Sequence, residues 1–97
     1  MSETALSKAI KQGLEAAGYW VLRIQAGQHR VKGGVLHCAE AGTPDLFLPA
    51  LNLWLEVKLP KGPTKPSQVA WHARAAKEGV TVVVVRSLAD AVEAVRR

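Results

Sequence analysis

The sequence has a single cysteine, Cys38, so no intrachain disulfide can form and nothing ties the chain to an oxidising compartment. It has no apolar run near the ~18 residues that a membrane span requires. It opens directly into a helical pattern without the charged and apolar regions of a signal peptide. The expectation is a cytoplasmic protein of a bacterium or a phage-infected cell, with no membrane association. Repeats, low-complexity tracts and long linkers are missing too, so residues 1–97 are expected to form one domain. Acidic residues are in deficit: 8 Asp and Glu stand against 13 Lys and Arg, giving a net charge of +5. That balance favours polyanionic partners such as nucleic acid, although many small soluble domains are mildly basic.

Helix and strand signals alternate along the chain. Ser2 is placed as an N-cap, and Leu6, Ile10 and Leu14 then recur at helical spacing until Gly18. Glu3 falls on the same face as this apolar stripe, an unusual place for a carboxylate. Residues 19–24 read as a strand, and residues 35–38 as a possible short one. Residues 45–58 read as a β-hairpin closed by a turn at 49–52. A loop rich in proline and glycine follows, then a helix over 66–78 with Pro66 in its first turn and Gly79 at its end. The valine run at 80–85 predicts a strand buried on both faces of a sheet. Ser87 and Asp90 open a last helix through Arg97. The order predicts an α/β fold with a mixed sheet flanked by helices: an early antiparallel hairpin and a parallel crossover through the second helix.

The chemistry concentrates in the hairpin. Alternation along residues 53–58 puts Trp54, Glu56 and Lys58 on one face, with Glu56 and Lys58 about 6.6 Å apart. If Leu48 pairs with Leu53, the same register sets Asp45 opposite Glu56. Two carboxylates brought together repel unless a cation joins them. Two acidic oxygens helped by a backbone carbonyl suit a hard cation such as Mg²⁺. A lysine alongside can orient or deprotonate a water, or offset charge on a phosphate. Phosphodiester hydrolysis needs such a set.

Gly42-Thr43-Pro44-Asp45, ten residues, then Glu56-Val57-Lys58 resembles the PD-(D/E)xK nuclease signature, and more narrowly the VRR-NUC family. The similarity extends over nearly the whole chain, from Glu3 opening the first helix, through Gln68 early in the second, to Val84-Val85-Arg86-Ser87. The resemblance implies a restriction-endonuclease-like αβββαβ core and a DNA endonuclease that depends on Mg²⁺ or Mn²⁺. It implies that Asp45, Glu56 and the carbonyl of Val57 bind metal, with Glu3 binding directly or through water. Lys58 would be the catalytic lysine, and Gln68 would support the site from the second helix. Stand-alone members of the family are similar in being homodimers that act on branched DNA, including four-way (Holliday) junctions. One position departs from the family pattern: Ser87 stands where a second arginine would, and reads as a helix cap.

Blander readings compete. Glu56 and Lys58 alone could be the solvated face of an edge strand, Glu3 a carboxylate favourable with the helix dipole, and Gln68 a polar first-turn residue. Arg86 could snorkel from the end of a buried strand, and its functional reading needs the resemblance. Lys61 and Lys65 could belong to an ordinary solvated loop, but their nearness to Lys58 favours phosphate contact. His29, His37 and Cys38 lack zinc-ligand spacing. Their glycine-rich basic stretch, with Arg30 and Lys32, is assigned to DNA or to a second subunit. Trp20 and Trp71 are assigned to the core or an interface, and Trp54 to a wall of the site. The alternatives to an enzyme are a nucleic-acid-binding module without catalysis and an accessory subunit of a phage or repair assembly.

Overall fold

The structure, a computed structural model, describes residues 1–24, 28–31, 34–37 and 39–97, with 28–31 and 34–37 described in backbone only. Helix α1 spans Glu3–Ala16. Ser2 caps it, its Oγ accepting from the Ala5 N–H at 3.1 Å, and the chain leaves it through Gly18 with φ +96°. Strand β1 is short, Leu22–Arg23, where a run over 19–24 was expected. Two strands, β2 (Gln28–Val31) and β3 (Gly34–His37), pair antiparallel as a separate ribbon. The sequence pattern suggests only the second of them.

Strands β4 (Leu46–Leu48) and β5 (Leu53–Val57) form the expected hairpin around a 3₁₀ turn at Pro49–Leu51. Asn52 reverses the chain in the left-handed region at φ 48°, a conformation asparagine tolerates. Leu48 pairs with Leu53 and Leu46 with Leu55, so Asp45 falls opposite Glu56. Helix α2 (Pro66–Lys77) then carries the chain to β6 (Thr81–Val85), which runs parallel to β5, and α3 (Leu88–Val95) closes the fold. The main sheet has the order β1-β4-β5-β6.

Its two faces differ. Leu46, Leu48, Leu53, Leu55, Val57 and Val85 turn one way and pack with Ile10 and Leu14 of α1 and Ala91, Ala94 and Val95 of α3 into a single apolar cluster. Gly13 permits the close approach of these helices, because a Cβ there would lie 2.7 Å from Leu88 Cδ1. The opposite face carries Phe47, Trp54 and Glu56 against α2, whose one fully buried residue is Ala75.

The valine strand corrects an expectation. β6 is an edge strand, with Val84 38% exposed and Val85 fully buried, instead of a strand covered on both faces. Valine content marks β preference and apolar character, whereas sheet order decides which neighbours cover a strand. Among the described residues no helix is long and apolar enough to cross a membrane.

Candidate active site

Strand register explains how the acidic pair is built. The Lys58 N–H donates to the Val85 carbonyl at 3.0 Å, so even-numbered positions of β5 turn their backbone groups to β6 and odd-numbered ones turn theirs to β4. Val57 therefore presents its N–H and C=O to position 44, one step beyond the Leu46–Leu55 pair. Position 44 is a buried proline, without an N–H to give. The ladder stops there. Asp45 Oδ2 takes the Val57 N–H at 2.8 Å instead, and the Val57 carbonyl loses its ladder donor beside the same carboxylate.

Gly42 sets the approach to Asp45. The turn before it is tied by Thr43, whose Oγ1 donates to the Glu40 carbonyl at 2.7 Å. Gly42 has φ +91°, and a Cβ there would lie 2.2 Å from the Ser67 carbonyl oxygen, so the turn abuts the first turn of α2 as only glycine allows. The contact seats Gln68 over the sheet. The Lys65 N–H donates to Gln68 Oε1 at 2.9 Å, which fixes the amide and turns Nε2 to Glu56 Oε2 at 3.4 Å. One turn later His72 Nε2 lies 3.4 Å from Glu56 Oε1.

Glu56 is only 1% exposed, and burial, a hydrogen bond to Asp45 and the charge of Asp45 push its pKa up from 4.5 to about 8, against the opposing pull of Lys58. His72 is pushed down by burial and by the positive charge of Lys58, so its ring is neutral near pH 7. Lys58 is also buried, with Nζ 3.9 Å from Glu3 Oε1, while the Glu3 side chain is 44% exposed. This is no solvated face.

No family model, curated protein or solved structure matches the chain. Among the described residues, no three His, Cys, Asp or Glu side chains come together as a cation cage. The donors on hand are two adjacent carboxylates, Asp45 and Glu56, and the freed Val57 carbonyl. That set fits Mg²⁺ or Mn²⁺, which keep several waters, better than an ion needing four protein ligands. The raised pKa of Glu56 fits as well, since a cation would offset both the burial and the Asp45 charge that disfavour its ionised form.

The structure thus gathers Asp45, Glu56, Val57 and Gln68 in one place, with Lys58 held next to them and Glu3 on the outer side of Lys58. Lys61 and Lys65 are exposed on the loop between β5 and α2. Arg86 is placed differently from a free phosphate contact: its Nη1 donates to the carbonyls of Leu59 at 2.6 Å, Gly62 at 3.1 Å and Pro60 at 3.3 Å, clamping that loop. Lys32 and Cys38 lie outside the described residues, and Arg30, His29 and His37 are described in backbone only. Trp54 stacks on Phe47 with centroids 4.4 Å apart and meets Trp71 edge-on at 5.3 Å. Trp20 is 63% exposed and so is no core residue.

Two residues escaped the sequence reading. His72 had a signal: it stands four residues after Gln68, hence on the same helix face. Ser7 stands four after Glu3 in the α1 stripe, and its buried hydroxyl has no hydrogen-bond partner among the described residues.

Proposed function

We propose that the chain is a DNA endonuclease dependent on Mg²⁺ or Mn²⁺, of restriction-endonuclease-like αβββαβ type, hydrolysing phosphodiester bonds in branched DNA such as Holliday junctions. What supports this most is the buried Glu56 against the half-buried Asp45, beside a buried Lys58, in a chain of net charge +5. Burying a carboxyl group and an ammonium is costly, and a purely structural role would be filled better by apolar side chains. A buried carboxyl perturbed as Glu56 is marks a candidate functional site.

Asp45, Glu56 and the Val57 carbonyl would hold the cation, whose chemistry when bound is polarisation of a phosphoryl oxygen and acidification of a water. Gln68 fixes one oxygen of Glu56 by hydrogen bonding. Lys58 brings a positive charge against the phosphate oxygens and can orient the attacking water. Glu3, beside the Lys58 ammonium on the solvent side, would reach the cation directly or through water. Lys61 and Lys65, on a loop held by Arg86, meet the phosphate backbone, as do Arg30 and Lys32 of the basic stretch. The preference for branched DNA and the homodimer rest on the family resemblance; paired sites in a two-fold dimer suit paired cuts.

The test is cleavage of a labelled four-way junction by wild type and Asp45→Ala, each with Mg²⁺, Mn²⁺ or EDTA, beside linear duplex and flap substrates. Cutting that needs metal and is lost in Asp45→Ala is expected. Equal cutting of all substrates would remove the junction preference. Junction binding by folded protein without any cutting would leave a nucleic-acid-binding module, and no DNA affinity at physiological salt would leave an accessory subunit.

A further inference from the structure

We infer that His72 is a positioning residue of the site: its Nε2–H holds the second oxygen of Glu56, so that α2 grips this carboxylate at both ends. The inference rests on the nuclease reading above and deepens it. The two oxygens of Glu56 face different donors, Oε2 the Gln68 amide and Oε1 the His72 ring, both at 3.4 Å. The amide has no freedom to exchange ends, since its own oxygen is taken by the Lys65 N–H. His72 is therefore the group that faces Oε1. Gln68 and His72 are one helical turn apart, and the Gly42 contact with Ser67 fixes the height of that turn over β5.

The neighbouring carboxylate is held comparably: Asp45 Oδ2 accepts from the Val57 N–H at 2.8 Å. Each carboxylate oxygen has two acceptor sites. One donor per oxygen therefore fixes the plane of Glu56 and leaves a second site on each oxygen for a cation. Set against the Glu56 oxygen as an acceptor, Nε2 is the ring nitrogen that carries the proton. Outer groups that orient metal-binding carboxylates in this way change metal affinity by about 10–100-fold when removed.

The experiment is calorimetric titration of Mn²⁺ into wild type, His72→Leu, His72→Asn and His72→Gln, with cleavage kinetics and melting curves of the same proteins. Gln sets an amide nitrogen where Nε2 lies; Asn withdraws it beyond reach of Oε1. We expect Mn²⁺ affinity about 10-fold weaker in His72→Leu and His72→Asn, and affinity within about threefold of wild type in His72→Gln, with kcat following affinity and KM for DNA unchanged. If His72→Leu does not fold, His72→Asn carries the comparison. Wild-type affinity in a folded Leu or Asn variant overturns the role of His72 while leaving the nuclease reading intact. Loss in all three variants overturns a donor-only role. A wild type that neither binds Mn²⁺ nor cuts DNA overturns both.

Discussion

The two faces of the central sheet are made from the same strands and do opposite work. On one, Leu46, Leu48, Leu53, Leu55 and Val57 meet α1 and α3 in an apolar cluster. On the other, the alternate residues Phe47, Trp54 and Glu56 meet α2, which contributes Gln68, Trp71 and His72 and fully buries only Ala75. Strand alternation lets a single hairpin supply both. The first face gains stability from burial at about 25 cal/mol per Å². The second gives stability up, holding the buried Glu56 carboxyl and Lys58 ammonium where apolar side chains would fit. A chain of 97 residues can support such a site because the opposite face is apolar but for the buried Ser7 hydroxyl of α1.

Four changes test that division. Leu55→Ala, at a fully buried position of the apolar face, should lower stability by about 2–5 kcal/mol, read by urea denaturation, with the cleavage rate of the still-folded fraction unchanged. Lys58→Ala should do the reverse, reducing cleavage by about 10²–10³-fold while junction affinity stays near wild type; loss of folding would make Lys58 a structural residue of the first kind. Gly42→Ala forces a Cβ into the Ser67 carbonyl at φ +91° and should cost about 1–3 kcal/mol while lowering Mn²⁺ affinity, because it displaces the helix that holds Glu56.

The smallest effect is the most diagnostic. The metal-free protein keeps Glu56 protonated up to about pH 8, whereas the unfolded chain ionises it near 4.5. Below 4.5 the two states match and the group contributes nothing. As pH rises from 4.5 towards 8 the unfolded state gains from ionising Glu56 and the folded state does not, so stability falls over that window and levels off above it. Glu56→Gln should abolish this slope. Its melting temperature should exceed that of wild type by about 4–8 °C per kcal/mol regained at pH 8 and match it at pH 4, with EDTA present in both. Excess Mg²⁺ should reverse the order at pH 8, since only the carboxylate binds it.

The apolar face and the hairpin were legible in the sequence because their signals are local. Period-2 alternation and a turn at 49–52 determine the Leu48–Leu53 register, and that register carries Asp45 to Glu56. Ser2 and Ser87 cap the helices they were assigned to, accepting from Ala5 and Asp90. What was not legible depends on partners distant in sequence. The exposure of Val84 follows from β6 being last in the sheet, which no property of valine encodes. Arg86 reaches carbonyls 24 to 27 residues away, so its clamp on the loop is invisible without the fold. His72 lay within reach of the helical-spacing rule, but that rule identifies a useful face only once something is known to stand opposite it.

Pro44 decides a competition between architecture and chemistry for one lone pair. An ordinary residue there would offer an N–H, the hairpin would zip one step further, and the Val57 oxygen would be consumed by the sheet it belongs to. With proline the backbone forgoes that bond and keeps an acceptor uncommitted beside Asp45. The fold thus withholds one hydrogen bond from its own stability, at the spot where an outside charge can use it.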